Sequence, residues 1–204
     1  MKIKLLIVSV LLFTNTAISQ EKSSHLIGVK GAYNISNVSF NPVIEGVKAI
    51  KTYKNYSLSY INYNSLWKTM PYFGFQAEVY FQEQGYELNG NKVTMESVLL
   101  PLTSKFHIDF WRMRVLINAG GFAGYRKSKS DGFAETDYKF DAGFIGGGGL
   151  AFVLKPFELH LEANYQYSLT YLYNPQKDSQ INVSFSHPSQ LLFSVAIYYQ
   201  LFGK

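Results

Sequence analysis

The stretch FELHLEANYQYSLTYLY, Phe157 to Tyr173, separates into two sets when alternate positions are read. Phe157, Leu159, Leu161, Ala163, Tyr165, Tyr167, Leu169, Tyr171 and Tyr173 carry no charged or amide group. Glu158, His160, Glu162, Asn164, Gln166, Ser168 and Thr170 are polar, and only Leu172 breaks that set. Successive side chains of a strand point to opposite faces, so a period of two means one apolar and one polar face. A usual strand has about 5–6 residues. An alternation this long predicts a strand that crosses a bilayer and projects beyond it, since a tilted strand needs roughly 9–11 residues to cross.

The same period recurs along the chain. Leu26–Val38 sets Ile27, Val29, Tyr33 and Ile35 against Gly28, Lys30, Asn34 and Ser36. Tyr72–Gly85 sets Phe73, Phe75, Val79 and Phe81 against Gln76, Glu78 and Gln82. Val93–Ile108, Arg114–Lys127, Tyr138–Leu154 and Ser189–Phe202 behave alike, while Tyr53–Leu66 is rich in Tyr and Asn and alternates poorly. Neither an amphipathic helix nor an apolar run of about 20 residues is present. Short connections at Asp109–Met113 and Lys155-Pro156 alternate with longer ones at Ser39–Thr52, Ser128–Asp137 and Asn174–Pro188; Asn89-Gly90-Asn91 is a short exception. Short turns on one rim and long loops on the other are the pattern of outer-membrane barrels. The expected fold is all-β: an eight-stranded antiparallel up-and-down transmembrane β-barrel whose lumen is filled by side chains.

Composition agrees with interleaved rather than segregated polarity. Aromatic residues make up 17% of the 204-residue chain and charged residues 16%. Cysteine is absent, which removes disulfides and thiolate metal sites from consideration. The formal net charge is only +5 and its basic residues are scattered, so no nucleic-acid footprint is expected. Lys2 and Lys4 precede the apolar run Leu5–Phe13, and Ala17-Ile18-Ser19 closes the segment. This is the layout of a secretory signal, so residues 1–19 are expected to be removed and residues 20–204 to form one domain.

Alternation does not by itself decide which face is outside. A soluble lipocalin-like ligand-binding barrel would bury the apolar set; a membrane barrel shows it to lipid. The apolar sets are not studded with Lys or Glu, and Tyr125, Tyr138, Tyr165, Tyr167, Tyr171, Tyr173 and Trp111 lie near strand ends, where interfacial girdles belong. Both facts favour the membrane.

The segments LIGVKGAYNIS, YFGFQAEVYFQEQGYEL, SVLLPLTSKFHI, INAGGFAGYR, DAGFIGGGGLAF, LHLEANYQYSLTYLY and FSVAIYYQLF, in that order, resemble the PorT-like outer-membrane β-barrel family of Bacteroidetes. Leu100-Pro101-Leu102 followed by Lys105-Phe106 is the most telling match, and the region from about Phe40 to Met70 departs from the pattern. The resemblance implies an eight-stranded barrel in the outer membrane of a Gram-negative bacterium and, through one member, a link to protein secretion.

The candidate chemistry lies on the polar faces. Lys30, Lys105, Arg114, Arg126 and Lys139 share the inward parity with Glu78, Asp141, Glu158 and Glu162, with His160 among them. Buried charges need partners, so these residues are expected to form a structural ion network rather than an acid–base pair or a metal site with His107. Gly146–Gly149 lead into a strand, not a helix, and are expected to serve close packing rather than phosphate binding. Tyr53, Tyr56, Tyr60, Tyr63 and Trp67 form a candidate partner-contact surface. The expected function is non-enzymatic: a structural or accessory subunit of an envelope or secretion assembly. Outer-membrane lipid and other outer-membrane or periplasmic proteins are its partners, with no catalytic residues, cofactor or small-molecule ligand. An outer-membrane hydrolase or acyltransferase is the alternative, and His187 is the histidine placed at the outer rim for it.

Overall fold

The computed structural model describes residues 23–65, 72–134, 137–174 and 184–202. The expected signal and Trp67 lie outside these residues. The strands are β1 (Ser24–Asn41), β2 (Val47–Thr52), β3 (Tyr56–Ser65), β4 (Tyr72–Leu88), β5 (Asn91–Phe110), β6 (Met113–Lys129), β7 (Phe140–Leu154), β8 (Phe157–Ser168) and β9 (Phe185–Phe202). Each pairs antiparallel with its neighbour, and β1 returns to pair with β9 along Asn41↔Phe185 to His25↔Phe202. The sheet therefore closes as a ring of eight strand positions: β1, β2/β3, β4, β5, β6, β7, β8 and β9.

Nine strands fill eight positions because one of them is broken. β2 pairs with the upper part of β1 (Asn34↔Thr52) and with β4 (Ala49↔Tyr86). β3 continues on the same two neighbours, at Gly31↔Tyr56 and Tyr56↔Phe81. Between them Tyr53, Lys54 and Asn55 face only Ala32 and Tyr33 on β1 and Gln82 on β4, so this is a bulge in one strand. The inward parity changes there: Ile50 and Thr52 are buried on one side of the break, and Asn55, Ser57, Ser59, Ile61 and Tyr63 on the other. The segment from Tyr53 onward alternates poorly because the faces exchange polarity past Tyr60: Ile61 and Tyr63 point inward with Ser57 and Ser59, and Asn62 and Asn64 point outward. The pairing of β2 also corrects the first loop, which is not Ser39–Thr52 but the five residues 42–46.

Asn55 repairs the ladder at the break. Its Nδ2 donates to Thr52 O at 3.2 Å and Thr52 Oγ1 at 3.1 Å, and its Oδ1 accepts from the Glu83 amide at 3.1 Å. Asn55→Ala leaves a buried amide and carbonyl short of partners and is expected to cost about 1–3 kcal/mol. A denaturant titration in lipid vesicles measures this, and an unchanged midpoint would refute it.

Polarity is inverted relative to a soluble barrel. Inside lie Lys30, Gln76, Glu78, Lys105, Arg126, Asp141, Glu162 and Gln166, all buried. Outside lie Val29, Leu58, Phe75, Leu102, Ile117, Phe144 and Ile197, all exposed. An exterior of this kind is stable only against lipid, which is the reverse of the lipocalin arrangement. Both short-turn ends, Trp111-Arg112 and Lys155-Pro156, lie on one rim. Among the described residues, the outer rim carries 42–46, the tight Asn89-Gly90 turn, 130–134, 137–139, 169–174 and 184. Asn89 and Gly90 have φ of 52° and 86°, the left-handed pair of a two-residue hairpin. At about 3.3 Å per residue, the 20 residues of β5 span about 65 Å, well beyond the roughly 25 Å apolar band even when tilted.

The alternation of Phe157–Tyr173 holds only to Ser168, where β8 ends. Leu169 is exposed, then Leu172 and Tyr173 both turn into the barrel, so Tyr173 is not part of an outer girdle. They join Val38, Phe40, Tyr86 and Met95 in an apolar cluster at the outer end of the lumen. The Tyr173 and Tyr86 hydroxyls meet at 2.6 Å.

Candidate functional site

The inward faces of β1, β3, β4, β5, β6 and β8 converge on one chain of charges at the short-turn half of the lumen. At the mouth, His107 Nδ1 lies 2.7 Å from Asp109 Oδ1, and Arg114 Nε lies 3.1 Å from the same oxygen. The Arg114 Nη1 donates to both oxygens of Glu158 at 2.7 Å. Glu158 in turn holds His160 Nε2 at 3.1 Å, and the His160 Nδ1 faces Glu162 Oε1 at 3.4 Å. Lys105 Nζ donates to Glu162 Oε1 at 2.5 Å and to Gln76 Oε1 at 2.7 Å. Gln76 donates to Glu78, which also accepts from Lys30 at 2.7 Å and Ser57 at 2.9 Å.

A second cluster sits nearer the outer rim. Arg126 Nη2 pairs with Asp141 Oδ1 at 2.9 Å, and Nη1 donates to the carbonyls of Tyr138 and Tyr171 at 2.8 and 3.0 Å. Thr170 Oγ1 and Gln84 Nε2 donate to the Asp141 carboxylate at 2.9 and 3.3 Å. Gln84 accepts from Gln190, and Gln190 accepts from Asn34, both at 2.6 Å. Tyr80, Leu99, Phe122, Ile145 and Leu192 form an apolar layer of the lumen, and Leu26, Ile61, Tyr63, Ala196 and Tyr198 form another.

Lys30, Glu78, Lys105, Arg126, Asp141, Glu158, His160 and Glu162 are thus all buried in the lumen and hydrogen-bonded. Lys139 is not. It precedes β7, is exposed, and rests its ammonium 5.3 Å from the Phe133 ring centre. The inward parity expected for it fails because β7 begins only at Phe140. Its departure leaves Lys30, Lys105, Arg114 and Arg126 facing Glu78, Asp141, Glu158 and Glu162, an even balance of charge.

The aromatic set also divides. Tyr53, Tyr56 and Tyr60 are exposed, at 75%, 58% and 41%. Tyr63 is buried, its ring 4.4 Å from that of His107 in an edge-on contact, so it is a lumen residue and not a partner contact. Tyr63 lies three residues past Tyr60 in the unbroken β3, so the two point to opposite faces, and the period of two within this strand already separates them.

Chemically the network is closed. Both ring nitrogens of His160 face carboxylates and the side chain is 0% exposed, so it offers no nitrogen to a substrate. Arg114 bonds both Asp109 and Glu158 and so links the His107 pair to the His160 pair. At the outer rim His187 Nδ1 bonds the Ser168 carbonyl at 2.9 Å and packs on Tyr167 and Tyr171. A cavity of about 290 Å³ opens at the short-turn mouth, lined by Tyr63, Tyr72, His107, Trp111, Arg114 and Lys155. Among the described residues no group of three or more His, Asp and Glu is placed to hold a metal ion.

The chain is similar in fold to Ail, the attachment invasion locus protein of Yersinia pestis, solved with the heparin analogue sucrose octasulfate. The identity is 14%, the alignment covers 89% of this chain and 100% of that one, and the TM-score is 0.42. The secretin-domain β-barrel of InvG from the Salmonella SPI-1 injectisome aligns at 9% identity over 98% of this chain and 68% of its own, with a TM-score of 0.30. No curated protein matches it significantly in sequence. Residues 18–174 match the outer membrane protein beta-barrel domain. With its closed antiparallel ring, apolar outer wall and charged interior, this chain belongs to that family of outer-membrane β-barrels.

Proposed function

We propose that this outer-membrane barrel is non-enzymatic and serves as a structural or accessory subunit of an envelope assembly. Within its family we place it with the PorT-like barrels of Bacteroidetes, a reading that adds protein secretion as the process served. Residues 1–19 would direct export and be removed in the process. The observation that carries the reading is the filled lumen: paired charges occupy the inner half, the Arg126–Asp141 cluster the outer half, and Val38, Phe40, Tyr86, Met95, Leu172 and Tyr173 cover the outer end. Among the described residues the lumen is packed with side chains and its charged groups are engaged with one another, which supports this reading. What remains for biology is the surface: the outer loops, the exposed Tyr53, Tyr56 and Tyr60, and the wall.

Extraction of the tagged chain from its own membranes in mild detergent is the test. A partner recovered at fixed stoichiometry is the expected result, and a lone monomer after gentle crosslinking as well as without it would sink the proposal.

A further inference from the structure

The two-residue loop between β5 and β6 closes at the pair Phe110↔Met113, with Trp111 and Arg112 at its tip. Trp111 has φ of 57°, and Arg112 does not share the positive φ. This is the pattern of a type II′ turn, whose first central position favours Gly. A bulky side chain is strained there, so the turn itself gives no reason for a Trp. Packing within the barrel gives none either, since the residue is 93% exposed. Trp111 instead lines the cavity of about 290 Å³ in the short-turn mouth. Outer-membrane barrels turn that rim to the periplasm.

Aromatic rings and hydrogen-bonding groups meet in that cavity. Tyr72 stacks on His107 with ring centres 4.9 Å apart and 21° between the planes, and Tyr63 meets the same imidazole edge-on, so three rings form one wall. Asp109, Arg114, Lys155 and Gln200 supply polar groups around it. Arg114 bonds both Asp109 and the buried Glu158, while Lys155 makes no ion pair among the described residues. Two cations thus stand against two carboxylates. Arg112 does not line the cavity; its guanidinium lies 5.4 Å from the Trp111 ring centre. With no surplus of either charge, the cavity is built for a neutral polar ligand rather than an ion.

We infer that the mouth binds a terminal sugar ring of the periplasmic glycan, a β-1,4-linked N-acetylhexosamine chain. Such a ring has a face of C–H groups and an edge of hydroxyl and amide groups. The C–H face suits the electron-rich faces of Trp111 and Tyr72. The edge can accept from Lys155 and donate to Asp109, and its neutrality matches the balanced charge. An exposed Trp in a turn that favours Gly is then explained by what its ring touches. The site is independent of any protein partner and requires only that the barrel sit in its membrane.

The chain has two Trp, so Trp67→Phe leaves Trp111 as the fluorescent reporter. That variant is reconstituted in phosphatidylcholine nanodiscs and titrated with the β-1,4-linked trimer of N-acetylglucosamine. A saturable change in Trp111 emission is expected, with a Kd of about 1 mM or tighter. Lys155→Met removes one charged donor and weakens binding about tenfold. Tyr72→Ala removes a stacking face and weakens it about threefold. Trp111→Gly in the otherwise native chain separates binding from folding: calorimetry loses the trimer, while the denaturant midpoint holds or rises because Gly suits the turn. Heat-modifiable gel migration confirms that each variant is folded. No saturable response, or native affinity in the folded Trp111→Gly, Tyr72→Ala and Lys155→Met variants, overturns the site. Quenching of Trp111 by brominated acyl chains with no response to the trimer overturns it in favour of a lipid anchor. Equal displacement of the trimer by a trialanine peptide overturns the saccharide assignment.

Discussion

Lys105→Met is expected to destabilise the barrel by about 3–5 kcal/mol, the loss that follows when one partner of a buried ion pair is removed. Lys105 is 0% exposed and bridges Glu162 on β8 to Gln76 on β4, across the lumen from its own strand β5. Without it the Glu162 carboxylate keeps only His160 and the long contacts from Asn118 and Asn164 at 3.5 and 3.4 Å. Such a carboxylate is a charge with too few donors in a water-poor interior. The double variant Lys105→Met/Glu162→Gln removes the charge together with its partner and is expected to be more stable than Lys105→Met alone. Denaturant titrations of the four proteins in lipid vesicles give the coupling. If the double variant is as unstable as the sum of the singles, the pair is not the unit that holds the lumen.

The second large effect concerns the Gly-rich run of β7. Gly147 pairs with Asn164, and a Cβ on it would lie 2.1 Å from the Ala163 carbonyl oxygen and 2.7 Å from Asn164 Cα. These are backbone atoms of β8, so relief requires the two strands to part while Asn164 stays inside the ring. Gly147→Ala is expected to cost about 3 kcal/mol or more, at the upper end of overpacking, and to reduce the heat-resistant folded band on a gel. Gly146 is the internal control. It faces outward, a Cβ there would find its nearest neighbour, the Asn118 oxygen, at 3.5 Å, and Gly146→Ala is expected to change stability by less than about 1 kcal/mol. Equal effects at the two positions would remove close strand approach as the reason for the glycines.

Both predictions use residues whose face was legible without coordinates. The period of two placed Lys105, Glu162 and Gly147 on the inward face, and the placement is right because a strand flanked by two paired neighbours has no freedom to rotate. Where the pairing is interrupted, periodicity misleads. The break at residues 53–55 lets Tyr53 and Tyr56 share the outer face, whereas Tyr63, three residues past Tyr60 in the unbroken β3, is buried against His107. Past Ser168 the regular ladder of β8 ends, leaving the bridge Asp137↔Tyr173 and scattered backbone hydrogen bonds, and Leu172 and Tyr173 turn together into the apolar cap. Lys139 lies just outside β7, where its carbonyl accepts from the Arg126 amide and its ammonium lies over the Phe133 ring.

Local sequence by itself determined the β class, the alternation of lipid and lumen faces, and the list of charged residues that had to find partners inside, because these depend on a repeat of two and on the expense of burying charge. The tertiary structure decided who pairs with whom. Lys105 reaches Glu162 across 57 positions and Lys30 reaches Glu78 across 48 only because the ring closes at a particular stagger. Register and closure are properties of the whole sheet, and no single strand encodes them.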